Sequence, residues 1–300
     1  MPIDKIARDA GNVLKHRAVW GGSQNFLGAR WVERVVDNVP APARERVALR
    51  FLSLSPHYFY DRDLSAESSR NRQSREILAD RLVMPHLAPG ARVLDYGCGP
   101  GYLAAAVART AAHVAAVDIS RGVLACARAL NDRRNITYQT PEEFRATGGS
   151  VDVAYSFAVV QHLRTDVLQQ VLKLLAAAVR PGGTLLLHFA VAENGWRSEA
   201  EWVADGSLTG RAKLHYGLNC FGRSPAEMVD LATRSGFTDA AVSPLSGSIT
   251  LPDDDIADQH LLTARRAPRP AGNELRLQNA SVYTRSVIKP GGLSPMREDR

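Results

Sequence analysis

The chain has 300 residues, 45% of them hydrophobic, which is enough for one large core with an accessory region. No run approaches about 18 consecutive apolar residues, and the first residues lack the apolar segment of a secretory signal, so we expect a cytoplasmic protein without membrane contact. The net charge of +6 is spread along the chain without a block of like charges, which does not indicate a nucleic-acid partner. The 3 cysteines form no C-x-x-C pair, which argues against a metal site and fits a reducing compartment.

The first 88 residues precede the regular part of the chain, and we expect them to form a helical cap. Apolar spacing predicts helices over residues 26–39 and 43–54 and a longer helix over residues 65–87. An aromatic cluster at residues 58–60 separates the second helix from the third. Arg72 and Arg75 lie outside the apolar face of the longer helix.

A glycine-rich stretch over residues 93–102 reads VLDYGCGPGY. Its apolar start predicts a short buried strand, and the alanine-rich continuation predicts a helix. Gly97, Gly99 and Gly101 allow a sharp turn and let a ligand approach without meeting a Cβ atom. Asp95, at the end of the strand, suits a ligand with an ammonium group and would repel a pyrophosphate.

A second acid ends the next predicted strand, residues 114–118. Asp118 stands 23 residues after Asp95. An acid at this position of a β-α-β unit hydrogen-bonds the ribose hydroxyls of a bound nucleoside. The two acids and the glycines therefore predict one site at the carboxyl ends of two neighbouring strands.

From residue 91 onward, predicted strands and helices alternate, as a parallel sheet requires. The further strands are predicted at residues 135–139, 151–155, 184–189, 237–242 and 260–265, the last two as an antiparallel hairpin. The helices are predicted at residues 101–109, 121–130, 160–179 and 224–236, with a short one from Pro141. A Pro-Gly-Gly turn at residues 181–183 is expected before the fifth strand. The pattern predicts the α/β class.

The motif D-x-G-x-G-x-G and the second acid resemble motif I and its partner in class I S-adenosylmethionine (SAM)-dependent methyltransferases. The resemblance covers about residues 70–266. It implies a Rossmann-like, seven-stranded, mostly parallel sheet with helices on both faces, a helical N-terminal lid, and SAM as the cofactor. The implied organisation is a cap over residues 1–88 and a SAM-binding domain over residues 89–266.

The resemblance also implies which residues bind SAM. Asp95 would orient its ammonium group, Asp118 would bind the ribose, and Ile119 would lie against the adenine. The expected cofactor-binding residues are Asp95, Gly97, Cys98, Gly99, Gly101, Asp118, Ile119, Thr140, Pro141, Ser156 and Arg75.

Two parts of this set leave alternatives. Either Arg75 or Arg72 would pair with the carboxylate of SAM, with Tyr58 or Tyr60 beside it. The third strand departs from the common Gly-Asp of the family, since Gln139-Thr140-Pro141 stands there. Thr140 or Glu142 would then accept a hydrogen bond from the adenine amino group.

His162 is the candidate general base, because imidazole has a proton affinity suited to neutral pH. The alternative is that His162 packs or binds without taking a proton. His188, near the end of the fifth strand, and His215 are the other candidates for the base.

The absence of three sequence features reduces the number of possible acceptor classes. No Asn-Pro-Pro-aromatic or Pro-Cys sequence follows the fourth strand, and no Asp cluster suggests a magnesium site. Methylation of an oxygen or nitrogen of a small molecule remains, with oxygen favoured. The alternatives are a methyltransferase acting on RNA or protein and a non-catalytic SAM-binding protein. The oligomeric state is left open.

Two segments extend beyond the expected core. Residues 191–223 concentrate aromatic side chains, including Trp196, Trp202, Tyr216 and Phe221, after the fifth strand, and we expect them to cover the substrate. Residues 267–300 contain few apolar residues, and we expect a mostly disordered tail.

Overall fold

A computed structural model describes residues 27–54, 63–215, 219–245, 251 and 259–268. The aromatic cluster at residues 58–60, Tyr216 and the predicted tail beyond residue 268 lie outside these ranges. The described residues belong to one compact unit that extends to Pro268. None of the helices in this part of the chain is both long and apolar enough to cross a membrane.

A seven-stranded sheet forms the centre of this unit. Its strands are β1 (Arg92–Tyr96), β2 (His113–Val117), β3 (Ile136–Gln139), β4 (Val151–Ser156), β5 (Val179–Ala190), β6 (Phe237–Pro244) and β7 (Gln259–Arg266). They lie in the order β3-β2-β1-β4-β5-β7-β6, and β7 is antiparallel to both of its neighbours. The remaining neighbours are parallel, so the predicted sheet with its closing hairpin is confirmed. The strand order reverses between β1 and β4, and open α/β sheets bind ligands at such a reversal.

Helices cover both faces of the sheet. They are α1 (Leu27–Asn38), α2 (Ala41–Leu52), α3 (Leu64–Leu78), α4 (Tyr102–Val107), α5 (Arg121–Asn131), α6 (Pro141–Thr147), α7 (Thr165–Ala178), α8 (Glu199–Ala204), α9 (Leu208–His215) and α10 (Pro225–Arg234). One face buries apolar side chains of α6, α7 and α10. The other face buries those of α4, the end of α3 and the start of α5.

The first two helices pack against α5. The apolar residues in this contact include Val32, Val36, Leu49 and Leu52 on one side and Val123, Cys126 and Leu130 on the other. At its edge, the Arg128 guanidinium lies 3.5 Å from the Asp37 carboxylate and 3.7 Å from that of Glu33. The N-terminal helices therefore extend the hydrophobic core.

Two predicted helices are wrong in their extent. The helix expected over residues 65–87 ends at Leu78 and continues as a π-helical turn, Ala79–Val83, and a 3-10 turn, Met84–His86. Pro85 lies in that last turn and has no backbone N–H with which to continue an α-helix.

The helix expected over residues 160–179 is divided into a 3-10 turn, Val160–His162, and α7, which begins at Thr165. The Arg223 guanidinium donates to the backbone carbonyls of Val160 and Leu163, at 3.0 and 2.5 Å. A continuous helix would use these carbonyls itself, so the side chain of Arg223 takes the place of helical hydrogen bonds.

The Pro-Gly-Gly sequence does not separate α7 from the fifth strand as predicted. It lies inside β5, which starts at Val179 and makes an irregular pairing with β4 between Val151 and Val153. Gly182 has a φ of 76°, which permits this local bend.

Candidate functional site

The glycine loop connects β1 to α4 and is bonded to the end of β2. The backbone N–H groups of Gly97 and Cys98 both donate to the Val117 carbonyl, at 2.7 and 2.9 Å. Gly97, Gly99 and Gly101 have φ values of 80°, 51° and 80°. These are left-handed conformations that side chains with a Cβ atom disfavour, so the loop requires its glycines.

The space beside two of these glycines is occupied by the protein. A Cβ atom on Gly97 would lie 2.3 Å from Val159 Cγ2, and one on Gly101 would lie 2.6 Å from the Tyr138 hydroxyl. The Tyr138 hydroxyl donates to the Asn131 carbonyl at 2.9 Å. These two glycines therefore allow close packing of the chain on itself, and their contact with the cofactor stays a prediction.

Asp95 is buried at the end of β1, with 2% of its surface exposed. Its Oδ2 atom has no hydrogen-bond partner among the described residues. Burial raises the pKa of Asp95 to about 8, and the neighbouring Tyr155 hydroxyl, which makes no hydrogen bond of good geometry, offsets that rise only in part. A buried carboxyl group with an open oxygen is a site for a cationic group.

Asp118 is buried directly after β2 and holds the loop in place. Its Oδ2 accepts from the Gly99 N–H at 3.1 Å, and its Oδ1 accepts from the Ser120 N–H at 2.9 Å. Burial raises the pKa of Asp118, and these two backbone donors act against the rise. The adjacent Ile119 is 53% exposed and presents an apolar surface beside this buried acid. The pair suits the ribose and the adenine, as the resemblance implies.

The residues predicted after β3 have structural partners. Thr140 begins α6 with a capping box, in which its hydroxyl accepts from the Glu143 N–H and the Glu143 carboxylate accepts from the Thr140 N–H. Pro141 occupies the first turn of this helix, and Glu142 is exposed. A role of Thr140 or Pro141 toward adenine stays a prediction.

Ser156 connects the ends of β4 and β1, because its hydroxyl donates to the Tyr96 carbonyl at 2.7 Å. It is fully buried and lies beside the glycine loop. Its position agrees with the predicted place next to the cofactor, and its role in binding stays a prediction.

Arg75, in the last turn of α3, is brought to the same side of the sheet. Burial raises the pKa of Tyr102 and lowers that of His188; the charge of Arg75 opposes the first shift and adds to the second, so the guanidinium lies near the start of α4 and near the end of β5. Arg72 lies over the Tyr102 ring, 5.7 Å from its centroid. Of the two arginines, Arg75 is the one whose charge reaches the end of β5.

His162 lies in the 3-10 turn after β4. Its Nδ1 atom is 2.5 Å from the Asn219 carbonyl oxygen, which can only accept, so Nδ1 carries the proton and Nε2 carries the lone pair. Burial lowers the pKa of His162, and the bond to Asn219 raises it in part. The imidazole is therefore neutral at physiological pH, as a general base must be.

A short segment, residues 219–223, fixes this turn, and we call it the clasp. The Phe221 N–H donates to the Gln161 carbonyl at 2.6 Å, and Asn219 and Arg223 supply the bonds to the turn described above. Arg223 is 2% exposed, although arginine is rarely buried. The sequence did not identify Arg223, and only its place at the end of an aromatic insertion could have drawn attention to it.

The other two candidate bases differ from His162. His188 is fully buried, and burial together with the charge of Arg75 lowers its pKa to about 3. His215 is exposed at the end of α9. Neither has the half-buried position and the fixed lone pair of His162.

The insertion is held together by its own contacts. The Trp202 indole N–H donates to the Cys220 carbonyl at 2.9 Å, and the Arg197 guanidinium lies 4.5 Å from the centroid of the Trp202 ring. The Gly222 N–H donates to the Arg197 carbonyl at 2.8 Å. Trp202 therefore connects α8 to the clasp. Within the described ranges, no group of three or more His, Cys, Asp or Glu side chains is arranged to hold a metal ion.

Comparisons with known proteins agree with this geometry. Residues 93–183 match a family model described as a methyltransferase domain. A ribosomal protein L11 methyltransferase from Dechloromonas aromatica is 41% identical over 96 residues, which are 32% of this chain and 31% of that protein. A ubiquinone biosynthesis O-methyltransferase from Dinoroseobacter shibae is 25% identical over 225 residues, which cover 69% of this chain and 82% of that protein.

Among solved structures, magnesium protoporphyrin IX methyltransferase from Synechocystis with bound SAH has a TM-score of 0.48 and 18% identity, covering 79% of this chain and 100% of that chain. The chain spans less than half the length of several curated relatives that are 36% identical or more.

The strand order, the glycine loop with its two buried acids and the matched domain define one class of protein. The sheet order and the methyltransferase domain matched over residues 93–183 are those of the class I SAM-dependent methyltransferases, and SAM is the cofactor of this class. The residues present fit that cofactor, because Asp95 offers an unpaired carboxylate oxygen for its ammonium and Ile119 offers an exposed apolar surface beside Asp118.

Proposed function

We propose that this chain transfers the methyl group of SAM to an oxygen or nitrogen atom of a small-molecule acceptor. The observation that carries the proposal is that the clasp of the insertion is bonded to the turn carrying His162, at the edge where the glycine loop and Asp95 lie. This arrangement fits an enclosed acceptor, whereas a macromolecule needs an open groove.

The bound cofactor supplies an activated methyl group on a sulfonium, whose leaving group is a neutral thioether. The work left to the protein is to orient the two reactants and, where the acceptor atom carries a proton, to remove it. Asp95 would bind the ammonium, Asp118 and Ile119 the nucleoside, and Arg75 the carboxylate. The helices α1, α2 and α3, which belong to the cap predicted over residues 1–88, would cover this site.

His162 is proposed to accept the proton of the acceptor at Nε2. The imidazole would take up the proton that the acceptor atom loses as its lone pair bonds to the methyl group, which the cofactor would supply while keeping the carbon–sulfur electron pair as a neutral thioether. The Asn219 carbonyl holds the required tautomer and stabilises the imidazolium that results. An acceptor that is already ionised would need only the orientation that the turn provides.

A labelled-methyl assay tests this function. The purified chain and labelled SAM are incubated with pools of phenols, carboxylic acids and amines, and in separate reactions with ribosomal proteins and with RNA. We expect label in the small-molecule fraction, and less of it with the Asp118→Ala variant at a SAM concentration that does not saturate that variant. Label found only in protein or only in RNA would show that the acceptor is a macromolecule and would contradict the proposed small-molecule class. A protein acceptor is the alternative that the name of one relative suggests. Tight SAM binding with no transfer in any reaction would indicate a non-catalytic binding protein.

A further inference from the structure

His188 lies near the carboxyl end of β5 and is fully buried. Because alternate residues of a strand share a face, it projects from the same face as Leu186, the face covered by α4 and the end of α3. Its ring stacks on Phe157, with centroids 5.6 Å apart and an interplanar angle of 14°. His188 is therefore held rigidly beside the end of β4.

One hydrogen bond fixes the tautomer of His188. The Ala158 backbone N–H donates to Nδ1 at 3.0 Å, so Nδ1 carries the lone pair and Nε2 carries the proton. Ala158 adopts a φ of 57°, which is unusual for a residue with a side chain. A strained backbone at a ligand-binding edge is often part of a functional site. Here the unusual conformation of Ala158 directs its N–H toward Nδ1 of His188.

The Nε2–H group of His188 has no hydrogen-bond partner among the described residues. Buried donors are nearly always paired in folded proteins, so an unpaired one at a binding edge can donate to a bound molecule. Gln161 Oε1 and Asn219 Nδ2 are also buried and unpaired. They lie on two segments that are joined to each other, because the clasp bonds to the turn carrying Gln161, and this turn packs against β5.

We propose that the Nε2–H of His188 donates a hydrogen bond to an oxygen atom of the methyl acceptor, with the amides of Gln161 and Asn219 as further partners. The acceptor is then a small molecule with a carbonyl, carboxylate or hydroxyl oxygen. This inference rests on the proposed function and names its substrate class. His188 binds substrate and is not the base, because one of its nitrogens already accepts a bond and the other carries the proton.

The oxygen that accepts from His188 Nε2–H could instead belong to the carboxylate of SAM. Arg75, the predicted partner of that carboxylate, lies close enough to His188 to lower its pKa. The two sources are separated by measuring cofactor binding and acceptor binding independently. S-adenosylhomocysteine (SAH) carries the carboxylate but is no methyl donor, so it reports the cofactor contacts alone.

The test uses His188→Asn, whose side-chain oxygen can replace Nδ1 as the partner of the Ala158 N–H while no donor remains at the position of Nε2. The control is His113→Asn, at the opposite end of the sheet. Binding of SAH is measured by calorimetry. A set of phenols, benzoates and aryl ketones, with oxygen-free aromatic molecules of the same size, is then titrated into the SAH complex and followed by ligand-observed NMR.

We expect His188→Asn to bind SAH within twofold of the wild type and to bind the oxygen-bearing molecules at least tenfold more weakly, with oxygen-free molecules unaffected. A loss of SAH affinity of tenfold or more would assign the donor to the carboxylate of the cofactor and overturn the proposal. Equal binding of oxygen-bearing molecules to both proteins, or no binding of any of them to the wild type, would also overturn it. Failure of the wild type to bind SAH would contradict the proposed function itself.

A second measurement does not depend on the folding of the variant. In the wild-type protein with ¹⁵N-labelled histidine, we expect His188 to keep the Nε2–H tautomer between pH 5 and 8, with its Nε2 signal shifting when an oxygen-bearing molecule binds. The Nδ1–H tautomer, a titration within that range, or an unmoved signal in the presence of a bound molecule would overturn the proposal.

Discussion

Asp95 is the residue whose burial has the clearest consequence for binding. Its pKa of about 8 means that the free protein holds this carboxyl group largely protonated at neutral pH. The ammonium of the cofactor requires the ionised form, so binding must release a proton in the range below about pH 8.

We expect the affinity for SAH to fall about tenfold for each pH unit from pH 8 to pH 6, since the free protein increasingly binds the proton that the ligand must displace. Calorimetry at several pH values, in buffers of different ionisation enthalpy, measures both the affinity and the proton release. The Asp95→Asn variant should bind weakly and without this pH dependence. A pH-independent affinity of the wild type would contradict the protonation of Asp95 in the free protein.

The same group affects stability in the opposite direction to a salt-bridged acid. Its folded pKa lies above the value of 3.8 for an exposed side chain, so the folded state holds the proton more tightly than the unfolded state. This contribution to stability is present at low pH and decreases as the pH rises toward about 8. Asp95→Asn should therefore raise the melting temperature of the free protein at pH 8.

Gly97 allows a prediction about packing at the glycine loop. Gly97→Ala combines a positive φ with a Cβ atom 2.3 Å from Val159 Cγ2. Gly90→Ala is the matched control, since its φ of 77° is similar and nothing lies within 4 Å of the added atom. We expect about 1–2 kcal/mol of destabilisation in the control and clearly more at Gly97, by urea unfolding. Equal costs would show that Val159 moves freely, and Val159→Ala should partly rescue Gly97→Ala.

At the scale of elements, the division of the helix after β4 was not predictable from spacing. The apolar periodicity of residues 160–179 is continuous, but the backbone carbonyls of Val160 and Leu163 accept from the side chain of Arg223, which lies 63 and 60 residues further along the chain. Local sequence contains no information about such a partner. The strand ends, by contrast, follow from short apolar runs that end in Asp95 and Asp118.

Arg223 gives the test of this element. Arg223→Met keeps much of the apolar stem and removes the guanidinium donors from both carbonyls, although the Val160 carbonyl still accepts from the Leu163 N–H at 3.2 Å. We therefore expect a loss of roughly 1–3 kcal/mol in the free energy of unfolding. SAM affinity should be unchanged, and acceptor turnover should fall because the turn with His162 loses its support. The control is Arg234→Met, whose side chain is 73% exposed and should change stability by less than about 0.5 kcal/mol. Normal turnover by Arg223→Met would show that the clasp does not position the turn.

The insertion allows a related prediction. Trp202→Ala removes the link between α8 and the clasp, and we expect acceptor turnover to fall while SAM affinity stays within about 0.5 kcal/mol of the wild type. Trp31→Ala is the control, because Trp31 is 55% exposed on α1 and far in the chain from the insertion. Poor SAM binding by Trp202→Ala would show that the insertion supports the cofactor site. Normal acceptor turnover by this variant would show that the acceptor does not bind beside the insertion.

At the scale of the whole molecule, the fold was predictable and the details of the acceptor side were not. The regular alternation after residue 91 and the glycine motif give the sheet, its closing hairpin and the class of cofactor. The unpaired polar groups of His188, Gln161 and Asn219 come near one another because of how β4, β5 and the clasp pack together. The hydrophobic periodicity of the sequence contains no information about this packing. Their spacing along the chain is irregular, so a sequence pattern could not connect them.

The predicted cofactor site is tested most directly by calorimetric titration of SAM into the wild type, Asp118→Ala and a control variant, Asp230→Ala. In the wild type, the Asp230 carboxylate pairs with Arg234 on the surface of α10. We expect one SAM per chain for the wild type and the control. For Asp118→Ala we expect an affinity weaker by roughly 1–3 kcal/mol, the cost of leaving a buried polar group unpaired. An unchanged affinity in Asp118→Ala, or no binding of SAM by the wild type, would contradict the cofactor site at the ends of β1 and β2.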